Sequence, residues 1–321
     1  MVRIHVPGRS SLLLGNQSAM KDVKVGVVGL PGNWSSEELV TVLKERTGYG
    51  VLIDMECVSM DLVTNEVRCG DLDLGTLDAV IIKKLGAEYS PDLQDRLEIL
   101  RFLSETGVKF FSHPESISLL LDRLHCTVRL KQGGIPIPPT VITENIDQAE
   151  QAIKDFGKVV LKPLYTSKAR GMKLLECSRG LREELATYKA SGNQILYIQK
   201  LVPIPGRDLG LVFLGGEYLA TYSRVAKKDS WNTTTASGGK YESYSPSDEV
   251  IELARKAQAL FNLDFTCVDL VEAPDGPLVF EVSAFGGFRG LLDAHDMKAS
   301  EIYSEYVLNK ITVGQNAIKC T

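Results

Sequence analysis

The sequence predicts an α/β protein in two parts: a β/α unit with a mainly parallel sheet, then a larger α+β region. Three observations carry this. Between Val23 and Ser112, apolar β-branched runs alternate with amphipathic segments, the pattern of βα units. The stretch GGIPIPPT then forces an extended path and marks a boundary. Beyond it, strand-like runs flank Gly215-Gly216 and the turn APDG as hairpins do. With 321 residues, 44% of them hydrophobic and 24% charged, the chain exceeds one small core and is not disordered.

Residues 1–20 read as an arm or a short leading strand. VKVGVVGL is a buried strand, and Ser35 with Glu38 three residues later predicts a capping box for a helix through Val42. Gly26, Gly29 and Gly32 follow a GxxGxxG spacing, and Pro31 removes an N–H. A tight strand-to-helix turn is therefore expected, not a dinucleotide fingerprint. VLIDMECVSM and LDAVIIKKL read as strands, LEILRFLSETG as a helix ending at Gly107, and VKFFS as a strand, closing a unit over 21–112. A helix is expected from Pro114 through Lys131 and another over Asp147–Phe156, followed by strands KVVLKP and ILYIQK. LGLVFL and EYLATYS form a hairpin, a helix runs over Asp248–Phe261, FTCVDLVE and PLVFEVS are strands, and a last helix starts near Ala299. The second region thus spans 113–311, with a tail over 312–321.

Composition narrows the function classes. A net charge of −5 supplies no basic excess for a nucleic-acid backbone. Leu12–Leu14 and Val25–Leu30 are far shorter than a membrane span, and the first residues lack a signal-peptide pattern. Six scattered cysteines without a CxxC predict neither a zinc site nor a disulfide framework, and point to a reducing cytoplasm.

Several residues can carry chemistry. Lys162 ends an apolar strand, where an ammonium is costly without an anionic partner. The segment Tyr165–Met172, with Ser167, Lys168 and Gly171, has the hydroxyls, cations and glycine of a loop that closes over phosphates. A solvated turn has the same composition. In PLVFEVS, alternation places Leu278, Phe280 and Val282 on one face and Val279, Glu281 and Ser283 on the other. With a three-residue loop over Pro274–Gly276, Asp269 faces Glu281 across the hairpin. Two facing carboxylates repel unless a cation sits between them, and hard oxygen ligands select Mg²⁺ or Mn²⁺. Arg289, bounded by Gly286, Gly287 and Gly290, and Arg224, at the end of EYLATYSR, can hold a phosphate or carboxylate, or serve as surface ion pairs.

The order of these pieces resembles the ATP-grasp superfamily, closest to RimK-like ligases that add amino acids to a carboxylate. The resemblance covers about 113–310, and 21–112 resembles the domain that precedes it there. It implies two lobes that clasp ATP. Lys162 and the flap residues Tyr165, Ser167, Lys168 and Gly171 would meet phosphates. Gln199, Lys200, Leu201 and Val202 would form the adenine-side edge through backbone hydrogen bonds, Asp208 would hold the ribose, and Asn232 would sit near the phosphates. Asp269, Glu281 and Ser283 would bind Mg²⁺ or Mn²⁺, and Arg224 and Arg289 would stabilise an acyl phosphate.

Several positions depart from the family pattern. Ser283 stands where Glu-x-Asn has its amide, Lys200 follows Gln199 in place of an acid, and Asn232-Thr233-Thr234 replaces Arg-x-Asn. Gly210 likewise replaces the arginine of Asp-x-Arg. The resemblance implies a carboxylate–amine ligase using ATP, an acid and an amine, each a small molecule or a protein terminus; self-association stays open. The alternatives are a catalytically weak ATP-binding partner protein and a small-molecule kinase on the same fold.

Overall fold

The computed structural model describes residues 22–167, 169–225 and 239–319, so the arm, Lys168 and Asn232 lie outside it. Strand β1 (Val25–Val28) is buried throughout and leads into α1 (Trp34–Thr47). The cap is Asn33, not Ser35: its side chain accepts from the Ser36 N–H at 3.3 Å, while Glu37 accepts from the Gly32 N–H at 2.7 Å. Asparagine is a strong N-cap. The helix outruns the predicted end and stops at Gly48, whose φ of 82° suits glycine.

The predicted strand VLIDMECVSM is split. Asp54 caps a short 3₁₀ turn between β2 (Val51–Ile53) and β3 (Val58–Asp61). With β4 (Glu66–Cys69) and β5 (Leu72–Asp73), β3 forms a small antiparallel sheet. Next come β6 (Ala79–Ile82), α2 (Asp92–Glu105) and β7 (Lys109–Phe111). The main sheet is parallel, in the order β2-β1-β6-β7.

The helix expected over 114–131 is two helices, α3 (Pro114–Leu121) and α4 (Arg123–Gln132). Asp122 breaks it by adopting an extended conformation and accepting from the His125 N–H at 2.7 Å. The first lobe follows with β8 (Thr140–Thr143), α5 (Ile146–Phe156), β9 (Val159–Leu161), β10 (Lys173–Leu175), α6 (Leu181–Ala190) and β11 (Leu196–Lys200). Its antiparallel sheet runs β10-β9-β11-β8, and Ile153, Leu185 and Leu161 share its core.

The second lobe holds β12 (Arg207–Leu214), β13 (Glu217–Val225), β14 (Lys240–Tyr244), α7 (Asp248–Ala259), β15 (Phe265–Ala273) and β16 (Gly276–Ser283). Its antiparallel sheet is ordered β14-β13-β12-β15-β16. The chain ends with α8 (Phe288–His295) and α9 (Ala299–Lys319). Over 312–319 the expected tail is a continuation of α9; residues 320 and 321 lie outside the described residues. This last helix returns to the amino-terminal sheet: Tyr303, Val307 and Leu308 share one core with Val25, Leu39 and Phe265. Apolar burial therefore joins the amino-terminal domain to the second lobe. Among the described residues, no helix is long and apolar enough to cross a membrane.

Candidate active site

One cavity of about 650 Å³ opens between the two lobes and the amino-terminal domain, within the usual range for small-molecule sites. Most of the predicted site residues line it: Lys162, Ser167, the edge Gln199 to Val202, Asp208, Arg224, Asp269, Glu281, Ser283 and Arg289. Tyr165 and Gly171 do not line it; their flap neighbours Ala169 and Met172 do.

Lys162 leaves the end of β9 and is only 9% exposed. Its Nζ donates to Gln199 Oε1 at 2.5 Å, and the Gln199 amide donates to Thr140 Oγ1 and the Tyr197 hydroxyl. Burial pushes its pKa down to about 7, Arg123 adds to the fall, and Glu281 opposes it. Among the described residues no carboxylate lies within ion-pair distance of the ammonium, so an incoming anion would restore its full charge.

The Asp269–Glu281 pairing is present, by a different route from the expected one. The turn between β15 and β16 is two residues long, and a bulge at Phe280 restores the register. The bulge also overturns the simple alternation: Val279 and Val282 are both buried in one core, while Phe280 and Glu281 both line the cavity. Burial raises the Asp269 carboxyl above the usual carboxylate range; Arg224 pulls it down, and Glu281 and Asp208 push it up again.

Each acid meets a cation. Arg224 Nη2 lies 2.5 Å from Asp208 and 3.0 Å from Asp269. Burial opposes the arginine's charge, but the two aspartates outweigh it and hold its pKa above the ordinary value. Asp208, 6% exposed, accepts from Arg224 at both carboxylate oxygens. Along the edge, the Lys200 and Leu201 N–H groups donate to the Pro139 and Lys158 carbonyls at 2.9 Å, so those two donors are engaged inside the protein.

Arg123 is a site residue that the sequence reading missed. Its Nη1 donates to Glu281 Oε2 at 2.9 Å, and its Nε donates to the Pro163 carbonyl at 3.3 Å. Asp122, read as an N-cap, would have placed Arg123 in a first helical turn, where the helix dipole opposes a cation and another reason for it is needed. Lys83 was also missed, although it follows the apolar run AVII much as Lys162 follows VVL. Its Nζ donates to the Phe285 carbonyl at 2.9 Å.

The donor set fits a hard divalent cation. Two carboxylates face each other beside the Ser283 hydroxyl, and Asp269 bears the repulsion a cation would relieve. In an adjoining pocket with Glu281 and Ser283, the Thr166 hydroxyl oxygen is buried without a hydrogen-bond partner. Among the described residues, no cluster of three or more His, Cys, Asp or Glu forms, so phosphate oxygens or water would complete the shell.

The RimK-like ATP-grasp domain model matches residues 121–301. The tetrahydromethanopterin:alpha-L-glutamate ligase of Methanosarcina acetivorans is 26% identical over 323 residues, covering 90% of this chain and 99% of that protein. The Methanocaldococcus jannaschii protein of the same description is 27% identical over 297 residues, with the same coverages of 90% and 99%. Among solved structures, the ATP-grasp ligase PsnB with a phosphomimetic variant of its minimal precursor, Mg and ADP superposes with a TM-score of 0.71 at 17% identity, covering 91% of this chain and 99% of that one. The RimK domain protein of Sphaerobacter thermophilus gives 0.68 at 19% identity, covering 89% and 100%. A family match over more than half the chain settles the assignment: this chain belongs to the RimK-like ATP-grasp family.

Proposed function

We propose that this chain is an ATP-dependent ligase that joins a carboxylate to an amine through an acyl phosphate. The observation that carries the reading is the meeting of Lys162, Arg224, Asp269 and Glu281 in one cavity, although they come from two lobes. The curated relatives are glutamate ligases, which makes glutamate the first amine to try.

The chemistry follows from the groups present. A substrate carboxylate oxygen attacks the γ-phosphorus and ADP leaves. The amine then attacks the acyl carbon, phosphate leaves, and the amine proton passes to solvent. No side-chain nucleophile is needed, because catalysis here is positioning and charge stabilisation. Lys162 would hold phosphate oxygens, Ser167 would cover them, and the carbonyls of the Gln199–Val202 edge would face the base. Asp269, Glu281 and Ser283 would hold Mg²⁺ or Mn²⁺, which when bound offsets phosphate charge. Asp208, paired to Arg224, fits a role in fixing that arginine better than direct ribose binding. Arg224, beside Asp269, would stabilise the phosphoryl part of the acyl phosphate, and Arg289 would face the substrate that carries it.

The test is ADP release by the full chain with ATP, Mg²⁺, L-glutamate and a panel of carboxylic acids. Release that needs both acid and amine, with an amide product by mass, is the expected result. ADP formed without amine, together with a stable phosphorylated product, would mean a kinase. Tight ATP binding with no turnover on any pair would mean a binding protein.

A further inference from the structure

The wall that the amino-terminal domain gives to the cavity has its own composition. Among the described residues it is formed by Asn33, Trp34, Ser35, Lys83, Lys84 and Tyr89. Among the described residues, the acids lining the cavity, Asp208, Asp269 and Glu281, all come from the second lobe, and arginines already meet them.

Arg289 joins this wall from the start of α8. Its guanidinium carbon lies 4.2 Å from the centroid of the Trp34 ring. The side chain is still 53% exposed, and its ion-pair partner Asp293, at 3.7 Å, does not line the cavity. Stacking uses the face of a guanidinium and leaves its N–H edge free to meet a carboxylate in plane. The loop leading into α8 is fixed at both ends of one residue. The Phe285 N–H donates to Ser283 Oγ at 3.2 Å, and its carbonyl accepts from Lys83 at 2.9 Å. Lys83 is 4% exposed, and its Nζ sits 3.7 Å from the Phe288 ring centroid. Burial pushes its pKa down to about 7, Cys267 opposes the fall and Lys84 adds to it, so a nearby anion would recharge it.

A carboxylate being activated loses its charge on becoming an acyl phosphate, and the phosphates belong with Lys162. Arg289, half-exposed at the cavity with its ion-pair partner Asp293 outside the lining, is therefore suited to a charge that survives the reaction. Resting on the ligase reading above, we propose that Arg289, packed over the Trp34 ring, binds a substrate carboxylate that does not react, and that Lys83 fixes the loop leading to it. Arg289 is the binding group; Trp34 and Lys83 are positioning residues. The carboxylate comes either from a second acid group on the activated substrate or from the amine substrate itself.

Calorimetry on the full chain saturated with Mg²⁺ and AMPPNP tests this without turnover. The acid arm compares N-acetyl-L-glutamate with N-acetyl-L-glutamine, and the amine arm compares L-glutamate with its dimethyl ester. The wild-type protein should prefer the more carboxylated member of at least one pair by tenfold or more, and the pair that shows it identifies the source. Trp34→Ala, Lys83→Met and Arg289→Gln should each reduce that preference to under threefold, Trp34→Phe should retain it, and AMPPNP affinity should stay within twofold. Arg289→Gln changes a half-exposed side chain, so it decides the matter should Trp34→Ala not fold. No preference in either arm, or a preference undiminished in Arg289→Gln, overturns the proposal. A preference with no amide product on any panel would leave this subsite standing and remove the ligase reading instead.

Discussion

The ring of Tyr222 occupies the space that a side chain on Gly210 would need. A Cβ built on Gly210 would lie 2.3 Å from Tyr222 Cζ, and one on Gly290 would lie 2.4 Å from the same ring. The ring is held in place: its hydroxyl is 3.2 Å from Cys267 Sγ, and Tyr241 meets it edge-on at 5.2 Å. This accounts for the departure at Asp208-Leu209-Gly210, because an arginine at 210 and a tyrosine at 222 exclude each other.

Gly210→Ala should therefore destabilise the protein by about 1–3 kcal/mol through overpacking. In urea unfolding, Tyr222→Ala should suppress part of that loss in the double variant, a coupling of neighbours. Additive effects of the two substitutions would contradict the packing account.

Lys162 and Lys83 set a pH dependence. Both have pKa values near 7 in the folded protein against 10.5 for an ordinary lysine. Between those values the unfolded chain binds protons that the folded one lacks, so stability without ligand should rise from pH 7 towards 9 and stay flat below 7. Each lysine contributes up to about 1.4 kcal/mol per pH unit in that window. Thermal unfolding across that range should show a shallower slope for Lys162→Met, and an unchanged slope would count against the buried-ammonium reading.

Binding of nucleotide should recharge Lys162. At pH 8, ATP binding should therefore take up protons, visible as binding heats that vary with the ionisation enthalpy of the buffer. Lys162→Met should lose most of that uptake and bind ATP at least tenfold more weakly; uptake of the same size in the variant would separate Lys162 from the phosphates.

The carboxylate pair should divide sharply from the hydroxyl beside it. Asp269→Asn and Glu281→Gln should each lower ADP release by about 100-fold or more, the scale of lost transition-state charge stabilisation. Ser283→Ala should cost about tenfold or less, because a neutral ligand is the easiest of the three for water to replace. Steady-state rates against Mg²⁺ concentration would check this, and equal losses at all three positions would contradict it.

Arg123 should not tolerate lysine. It reaches Glu281, the Pro163 carbonyl and the Thr166 carbonyl from one planar fork, a geometry that an ammonium cannot reproduce. Arg123→Lys should increase proteolysis within the segment from Pro163 to Met172, and cutting at the wild-type rate would show that the fork does not hold the flap.

Much of this protein follows from local pattern. The apolar strands ending in Lys162 and carrying Glu281, the Gly215-Gly216 hairpin and the βα alternation are set by side chains within a few residues of one another. What sequence reading lost was lost where two local solutions compete. Asn33 outcompeted Ser35 as a cap because its carbonyl oxygen meets the Ser36 N–H, and Asp122 split a helix whose apolar pattern runs on.

The chain by itself therefore determined the family and most of the elements, and it nominated residues for phosphate and metal, because each of these depends on residue type and short spacing. Only the tertiary structure decided that a bulge at Phe280 turns Glu281 to face Asp269, that Arg123 reaches Glu281 across 158 positions, and that α9 folds back on the amino-terminal sheet. These contacts join distant segments, and their partners are chosen by packing and charge in three dimensions, which no short stretch of sequence encodes.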